Sequence, residues 1–327
     1  MHITRRALLG SAACLVAGSR ASTATVRERT FELQYEAALT IPAGADRFQF
    51  WMPVAHADAF QEIELLEVEA PVRYSMETGA NSNQILYIGK APGGADRMPV
   101  KLRFRVTRRE RIVPTIASGG GSASLTEQER SRYLQSERLV PLDDTIRKWA
   151  REVVNTANAG TDLEKARAIY NHVVATVKYD KSGKGWGRGD IYYACENRRG
   201  NCTDFHAIFI GYARAVGVPA RFTIGFPVPA QRGQGRIAGY HCWAEFFAQG
   251  IGWVPVDASE ASKDPSRREY FFGALDENRV EFSRGRDLVL NPPQQGEPLN
   301  YFIFPYAEID GKPQAGIETV VSYHDLA

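Results

Sequence analysis

"RRGNCTDFHAIFIGYARAVGVPARF", residues 198–222, places a cysteine between a Gly-Asn turn and an amphipathic run. Phe205, Ile208, Phe209, Tyr212, Ala213 and Val216 recur at helical spacing, which predicts a helix starting at Cys202. Gly217 ends it and Pro219 follows. The apolar stripe is complete without Cys202, so core packing does not account for the residue. A thiol in the first turn of a helix meets unpaired N–H groups and the positive end of the dipole. Both favour thiolate, the nucleophilic form. The same N–H groups can form half of an oxyanion hole.

Two strands are expected downstream, "HCWAEFFA" (241–248) and "GWVPVDA" (252–258), joined by a tight turn. His241 begins the first and Asp257 ends the second, so antiparallel pairing can make them neighbours. A carboxylate there can orient an imidazole whose other nitrogen faces the sulfur, the logic of nucleophile, base and orienter. Strand alternation puts His241, Trp243, Glu245 and Phe247 on one face and Cys242 on the other.

These residues also carry a resemblance. "GNCTDFHAIFIGYARAVGVPARFTIGF" (200–226), "GYHCWAEFF" (239–247) and "GWVPVDAS" (252–259) resemble the transglutaminase-like core of bacterial exported proteins. Its elements are a G-x-C-x-[DE] helix start, an R-x-x-G-[IV]-P-[AV]-R helix end, an H-x-W-x-E strand and a G-W-x-x-[VF]-D strand end. All four occur here in order. The resemblance covers about 140–262 and implies an α+β, papain-like core with a cysteine helix packed on an antiparallel sheet. It implies thiol acyl transfer on a peptide or protein substrate, with Cys202 as nucleophile, His241 as base and Asp257 as orienting acid. It implies no cofactor. A second oxyanion donor upstream of the cysteine is part of the pattern, and Trp186, Tyr192 and Tyr193 are the candidates. Trp186 leads, because an indole N–H is a donor only.

Other roles for nearby residues remain open. Asp204, Trp243 and Glu245 are candidate substrate contacts, although charged residues at such places are commonly structural. His172, His206, Arg214 and Arg221 read as structural or supporting. Cys195 and Cys242 are a candidate disulfide pair, which would leave Cys202 free. A zinc site drawn from Cys195, Cys202, His206, His241 and Cys242 lacks C-x-x-C or paired-His spacing, so no metal is expected. Two rivals to an enzyme are kept: a non-catalytic peptide-binding module and a zinc protein.

The remaining chain frames this core. Residues 25–110 read as a β-sandwich domain of short alternating strands such as "TFELQYEAALTI" and "PVKLRFRV". Residues 111–140 read as a Gly/Ser-rich linker. From 141 to 327 the expectation is the catalytic domain with a C-terminal β extension closing its sheet. Within it, Ile146, Trp149, Ala150, Val153 and Val154 mark one helix capped by Asp143 or Asp144. Thr161 and Glu164 form a capping box for a second. Gly183, Gly185, Gly187 and Gly189 read as a mobile loop beside a cleft, with no Lys-Ser/Thr to make it a phosphate loop.

Residues 1–24 are expected to be an export signal. They hold a charged start containing Thr4-Arg5-Arg6, an apolar stretch from Ala7 to Ala17, and small residues near Ala24. The arginine pair points to the twin-arginine route, and hence to a periplasmic protein. Cys14 offers a lipid-anchor alternative, weakened by Ser11 three residues before it. No later stretch is apolar enough to span a membrane. The chain has 40 Lys and Arg against 38 Asp and Glu, a net +2. Cleavage near Ala24 removes Arg5, Arg6 and Arg20 and no acids, giving 37 − 38 = −1. Such a balance does not point to nucleic acid or an anionic surface as partner.

Overall fold

A computed structural model describes residues 26–42, 44, 47–92, 96–113 and 121–326. The expected export signal, with Cys14, lies outside the described residues. The N-terminal strands are β1 (Glu28–Thr40), β2 (Phe48–Val54), β3 (Gln61–Glu69), β4 (Ser75–Thr78), β5 (Gln84–Ile88), β6 (Arg97–Arg109) and β7 (Arg111–Ile112). The helical region holds α1 (Glu127–Arg132), α2 (Asp144–Thr156), α3 (Asp162–Thr176), β8 (Lys178–Tyr179), α4 (Ile191–Asn197), β9 (Arg199–Gly200) and α5 (Cys202–Ala215). There follow β10 (Ala220–Pro227), β11 (Gln234–Arg236), β12 (His241–Ala248), β13 (Gly252–Val256) and α6 (Ala258–Lys263). The last strands are β14 (Ala274–Leu275), β15 (Arg279–Arg284), β16 (Tyr306–Ile309), β17 (Lys312–Pro313) and β18 (Glu318–Asp325).

Alternation builds the N-terminal layers. Phe31, Leu33, Tyr35, Ala37 and Leu39 of β1 are buried while their neighbours are half-buried, so one face packs and the other meets solvent. In register, Phe31 faces Val106 and Leu33 faces Phe104 of β6. Two five-stranded sheets result, β11-β18-β1-β6-β3 and β17-β16-β2-β5-β4.

Both sheets recruit strands from the far end of the chain. β18 pairs with β1, with Leu33 opposite Tyr323 and Tyr35 opposite Val321. β16 pairs with β2, with Phe50 opposite Ala307. The Tyr35 hydroxyl donates to the Ile303 carbonyl at 2.8 Å, tying the returning segment down. The sequence reading attaches these C-terminal strands to the catalytic sheet. The structure instead uses them to extend the N-terminal sheets, because the long β1 has an open edge that an eight-residue partner can cover.

The cysteine helix has its own sheet, β13-β12-β10-β15, antiparallel throughout. Every residue of α5 from Cys202 to Arg214 is buried. A helix surrounded on all sides must be apolar around most of its circumference, as "FHAIFIGYA" is. One side packs on β12, where Phe209 meets Phe246. The other meets α2, α3 and α4. Helix α2 buries Ile146, Ala150 and Val154, and Asp143 caps it by accepting the Ile146 N–H at 3.0 Å. The Thr161–Glu164 box closes on α3. No helix among the described residues is long and apolar enough to cross a membrane.

Candidate active site

Asn201 caps α5 by accepting the Thr203 N–H at 3.0 Å, which fixes where the helix begins and puts Cys202 in its first turn. The Cys202 N–H makes no hydrogen bond among the described residues. The charge of His241 acts on its sulfur. His241 Nε2 and Asp257 Oδ2 are 2.7 Å apart. The structure thus brings Cys202, His241 and Asp257 together from a helix start, a strand start and a strand end.

Asp257 is held from several sides. Arg279 Nη1 donates to Oδ2 at 2.9 Å. The Ser259 hydroxyl and the Glu260 N–H donate to Oδ1, each at 3.0 Å. Burial opposes its ionisation, but the charge and hydrogen bond of His241, then Arg279 and His206, hold the carboxyl well below its usual range.

His241 follows from this. Burial disfavours the imidazolium, but the Asp257 carboxylate and the Cys202 sulfur outweigh it and push the pKa up to about 10. Burial likewise opposes the Cys202 thiolate. Hydrogen bonds from Cys242 and His241, and the charges of His241 and His206, bring the thiol well below its ordinary value. The arrangement favours a thiolate–imidazolium pair in a buried setting, with Cys202 only 1% exposed.

Several expected roles are corrected. Asp204 is fully buried and accepts N–H bonds from Gly187 (2.7 Å), Gly189 (3.1 Å) and Asn201 (2.9 Å). It is therefore an anchor for the glycine loop and a reciprocal cap for α5, not a substrate contact. Gly200 is required beside it: at φ +157° a Cβ there would run into the Asp204 carboxylate. The loop expected to be mobile is further pinned where Arg286 donates to the Gly189 and Arg188 carbonyls, both at 2.9 Å.

Glu245 is also fully buried and serves Arg111 at 2.6 Å and Arg221 at 2.6 Å, so it too is sealed from substrate. Trp243 is buried under the Arg279 guanidinium, 5.2 Å from the ring centroid. Cys195 and Cys242 are free thiols. Cys195 meets the Tyr212 hydroxyl at 3.4 Å, whereas Cys242 sits with His206 and Cys202 on the sheet-facing side of α5.

Of the oxyanion candidates, Tyr192 is used elsewhere, donating to Asp143 at 2.6 Å. Tyr193 packs against Gly185. Half-buried Trp186 lies in the glycine loop, where Lys181 approaches its ring at 6.0 Å. His206 is more involved than the sequence reading allowed: it is fully buried and touches Cys242 and α6. Arg279 was missed because its strand lies beyond the recognisable motif, with nothing in local spacing to mark it.

In an Asp204→Asn variant the amide can accept only through one oxygen and presents N–H toward amides that also donate. Stability is expected to fall by about 1–3 kcal/mol. Hydrogen exchange should accelerate across residues 185–189. Urea unfolding with site-resolved exchange checks this, and unchanged protection of the loop would refute the anchor assignment.

Residues 147–258 match the family model for the Transglutaminase-like superfamily, a span that holds Cys202, His241 and Asp257. An uncharacterised protein of Haemophilus influenzae is 29% identical over 213 residues, 55% of this chain and 57% of the relative, so little more than half of that relative's length is matched. The structure of a candidate cysteine protease from Cytophaga hutchinsonii superposes with a TM-score of 0.60 over 92% of both chains at 14% identity, a likeness of fold. The periplasmic domain of TgpA from Pseudomonas aeruginosa aligns over 74% of this chain and 90% of its own, at 17% identity and a TM-score of 0.41. By the family-model match, residues 147–258 are a transglutaminase-like domain, and the mixed helix and antiparallel-sheet architecture agrees with it.

Proposed function

We propose that this chain is an exported, periplasmic thiol acyl-transfer enzyme acting on peptide or isopeptide amides, with Cys202, His241 and Asp257 as its catalytic group. The observation that carries the reading is the 2.7 Å His241–Asp257 hydrogen bond, with Cys202 in the first turn of α5 and its thiol drawn down by His241.

In this reading the Cys202 thiolate attacks the amide carbonyl carbon, and the developing oxyanion takes the free Cys202 N–H. His241 gives its proton to the leaving amine as the C–N bond breaks, leaving a thioester and a neutral imidazole. Water then attacks the thioester, His241 takes its proton, and the acid departs as the thiol is restored. An amine in place of water gives transamidation. Because Cys202 is nearly inaccessible, the walls around it must part before a carbonyl can reach the sulfur.

The same contacts weigh against the rivals. A peptide-binding module has no use for a buried imidazolium held beside a thiol. A zinc site drawing on His206 would need a free lone pair on that ring, yet its Nε2 already accepts the Ala258 N–H at 3.2 Å.

Iodoacetamide at mildly acidic pH should modify Cys202 first, and Cys202→Ala should abolish that labelling. Site-resolved mass spectrometry reads the result. Equal labelling of Cys195 or Cys242 in the variant would sink the claim of a selectively activated thiol.

A further inference from the structure

The proposed reaction asks two things of His241. The ring must stay charged, and it must then give its proton to the leaving amine. Although burial disfavours the imidazolium, Asp257 and Cys202 push its pKa up to about 10, so the proton is held tightly. A counterweight to that hold lies on the far side of Asp257.

Asp257 follows β13 and caps α6, and its carboxylate accepts four hydrogen bonds. The Ser259 hydroxyl and the Glu260 N–H fill Oδ1, each at 3.0 Å. His241 Nε2 at 2.7 Å and Arg279 Nη1 at 2.9 Å both meet Oδ2. An ionised carboxylate offers about four lone-pair sites, and all of them are taken. The ring therefore shares its oxygen with a cation that cannot be deprotonated.

Arg279 is held where it is. It is only 3% exposed, and its Nε and Nη2 each lie 3.3 Å from Asp276 Oδ1. Asp276 Oδ2 in turn accepts from Arg267 Nη2 at 3.0 Å. Burial opposes the charge of Arg279, and Asp276 and Asp257 more than offset that. The result is a row of alternating charge, His241, Asp257, Arg279, Asp276 and half-buried Arg267.

We propose that Arg279 is a positioning residue for His241: by sharing Oδ2 it fixes the ring against Asp257 and loosens the carboxylate's grip on the imidazolium, so that the proton can pass to the leaving amine. The inference rests on the acyl-transfer reading above. A guanidinium beside an imidazolium is a like charge, which disfavours the charged ring. The other titratable or charged groups facing Asp257 and His241 come from several elements. His206 of α5 lies 3.8 Å from Oδ1, and burial disfavours its charged form. Glu260 of α6 lies 3.9 Å from His241 Nε2 and is paired with Lys263. Cys202 of α5, Cys242 of β12, Tyr170 of α3, Tyr179 of β8 and Asp276 complete the set. Among the described residues none of these is a permanent cation in contact with Asp257.

The experiment is the proton-binding midpoint of His241, read by NMR of histidine-labelled full chain and assigned against His241→Ala. It is done in the Cys202→Ala background, where loss of the thiolate brings the midpoint down from about 10. Arg279→Gln, which keeps a donor but not the charge, should raise the midpoint by about one pH unit. Arg279→Lys, which keeps the charge, should stay within about 0.3 unit of Arg279. Asp276→Asn, which removes an anion behind Arg279, should lower the midpoint by about half a unit. Thermal melts establish that each variant is folded, and Asp276→Asn decides alone if Arg279→Gln does not fold.

An unmoved or lowered midpoint in folded Arg279→Gln overturns the proposal, because Arg279 would then only keep the carboxylate in place. An equal rise in Arg279→Lys also overturns it, as a packing effect. So does a midpoint in Asp276→Asn that rises or stays put. The reading beneath is tested apart, on the chain with Cys202 intact: failure of that cysteine to react with iodoacetamide below neutral pH would remove the nucleophile, whatever His241 does.

Discussion

In a His241→Ala variant, alkylation of Cys202 at pH 6 is expected to fall about 100-fold while the fold persists. The argument is electrostatic. A free thiol with a pKa near about 8.5 is less than about 1% thiolate at pH 6. In the wild type the buried imidazolium beside the sulfur, itself sustained by Asp257, makes thiolate the favoured form. Removing the ring leaves burial, which raises the thiol, opposed by Cys242, His206 and the helix terminus. The wild-type rate should therefore be nearly flat with pH from mildly acidic conditions upward, until the imidazolium is lost near its pKa of about 10. The variant's rate should climb through the ordinary thiol range. Turnover of an amide substrate should drop by about 10²–10⁴-fold, since the proton donor to the leaving amine is gone. Stopped-flow alkylation against pH checks the first part. A variant that reacts at pH 6 at the wild-type rate would show that His241 does not activate Cys202.

What the sequence makes legible here is what repeats or lies close along the chain. Helical spacing after Cys202, Asn201 before it, and the two short strands carrying His241 and Asp257 are all local signals, and the structure brings those three side chains together. The Thr161–Glu164 box is legible for the same reason. What fails is pairing over long separations. Asp204 looks like a free acid at a helix start until Gly187 and Gly189 are seen to need its oxygens. Tyr192 looks like a spare donor until Asp143, 49 residues away, claims its hydroxyl. Cys195 and Cys242 look like a disulfide pair because both flank the motif, yet they contact α5 through different partners, Tyr212 and His206. The return of β16 and β18 to the N-terminal sheets is likewise invisible in short apolar runs such as "NYFIFPY", which would fit any open strand edge.

The setting of Cys202 and His241 depends on that non-local framework. Arg279 comes from β15, next to β10, and reaches across to Asp257, so the orientation of the histidine is set by the sheet's far edge. Arg111 comes from β7, just after the N-terminal sheets and paired with β14, and ends on Glu245 of β12, the strand that carries His241. The segment that leaves the N-terminal sheets therefore supplies a buried cation to the strand that carries His241.

Glu245→Ala is accordingly expected to destabilise the protein by about 3–5 kcal/mol, the cost of stranding buried cations when their carboxylate is removed. Glu245 is fully buried, with Arg111 on one oxygen and Arg221 on the other, both at 2.6 Å. Alanine leaves two guanidinium groups without it, and Arg221 retains the face of Trp253, 4.0 Å from its ring centroid, and the charge of Glu281. The effect has a pH signature. Burial raises the Glu245 carboxyl, but Arg111, Arg221 and Arg284 overcome that and hold its folded-state pKa well below the usual 4.5. A depressed carboxyl stabilises fully above its unfolded pKa and loses that contribution as pH falls toward the folded value. The stability gap between wild type and Glu245→Ala should then be constant near neutrality and narrow below about pH 4.5. Urea unfolding at several pH values measures it. A substrate-contact role for Glu245 predicts the opposite pattern, a raised KM with stability within about 0.5 kcal/mol of wild type, as for a surface substitution.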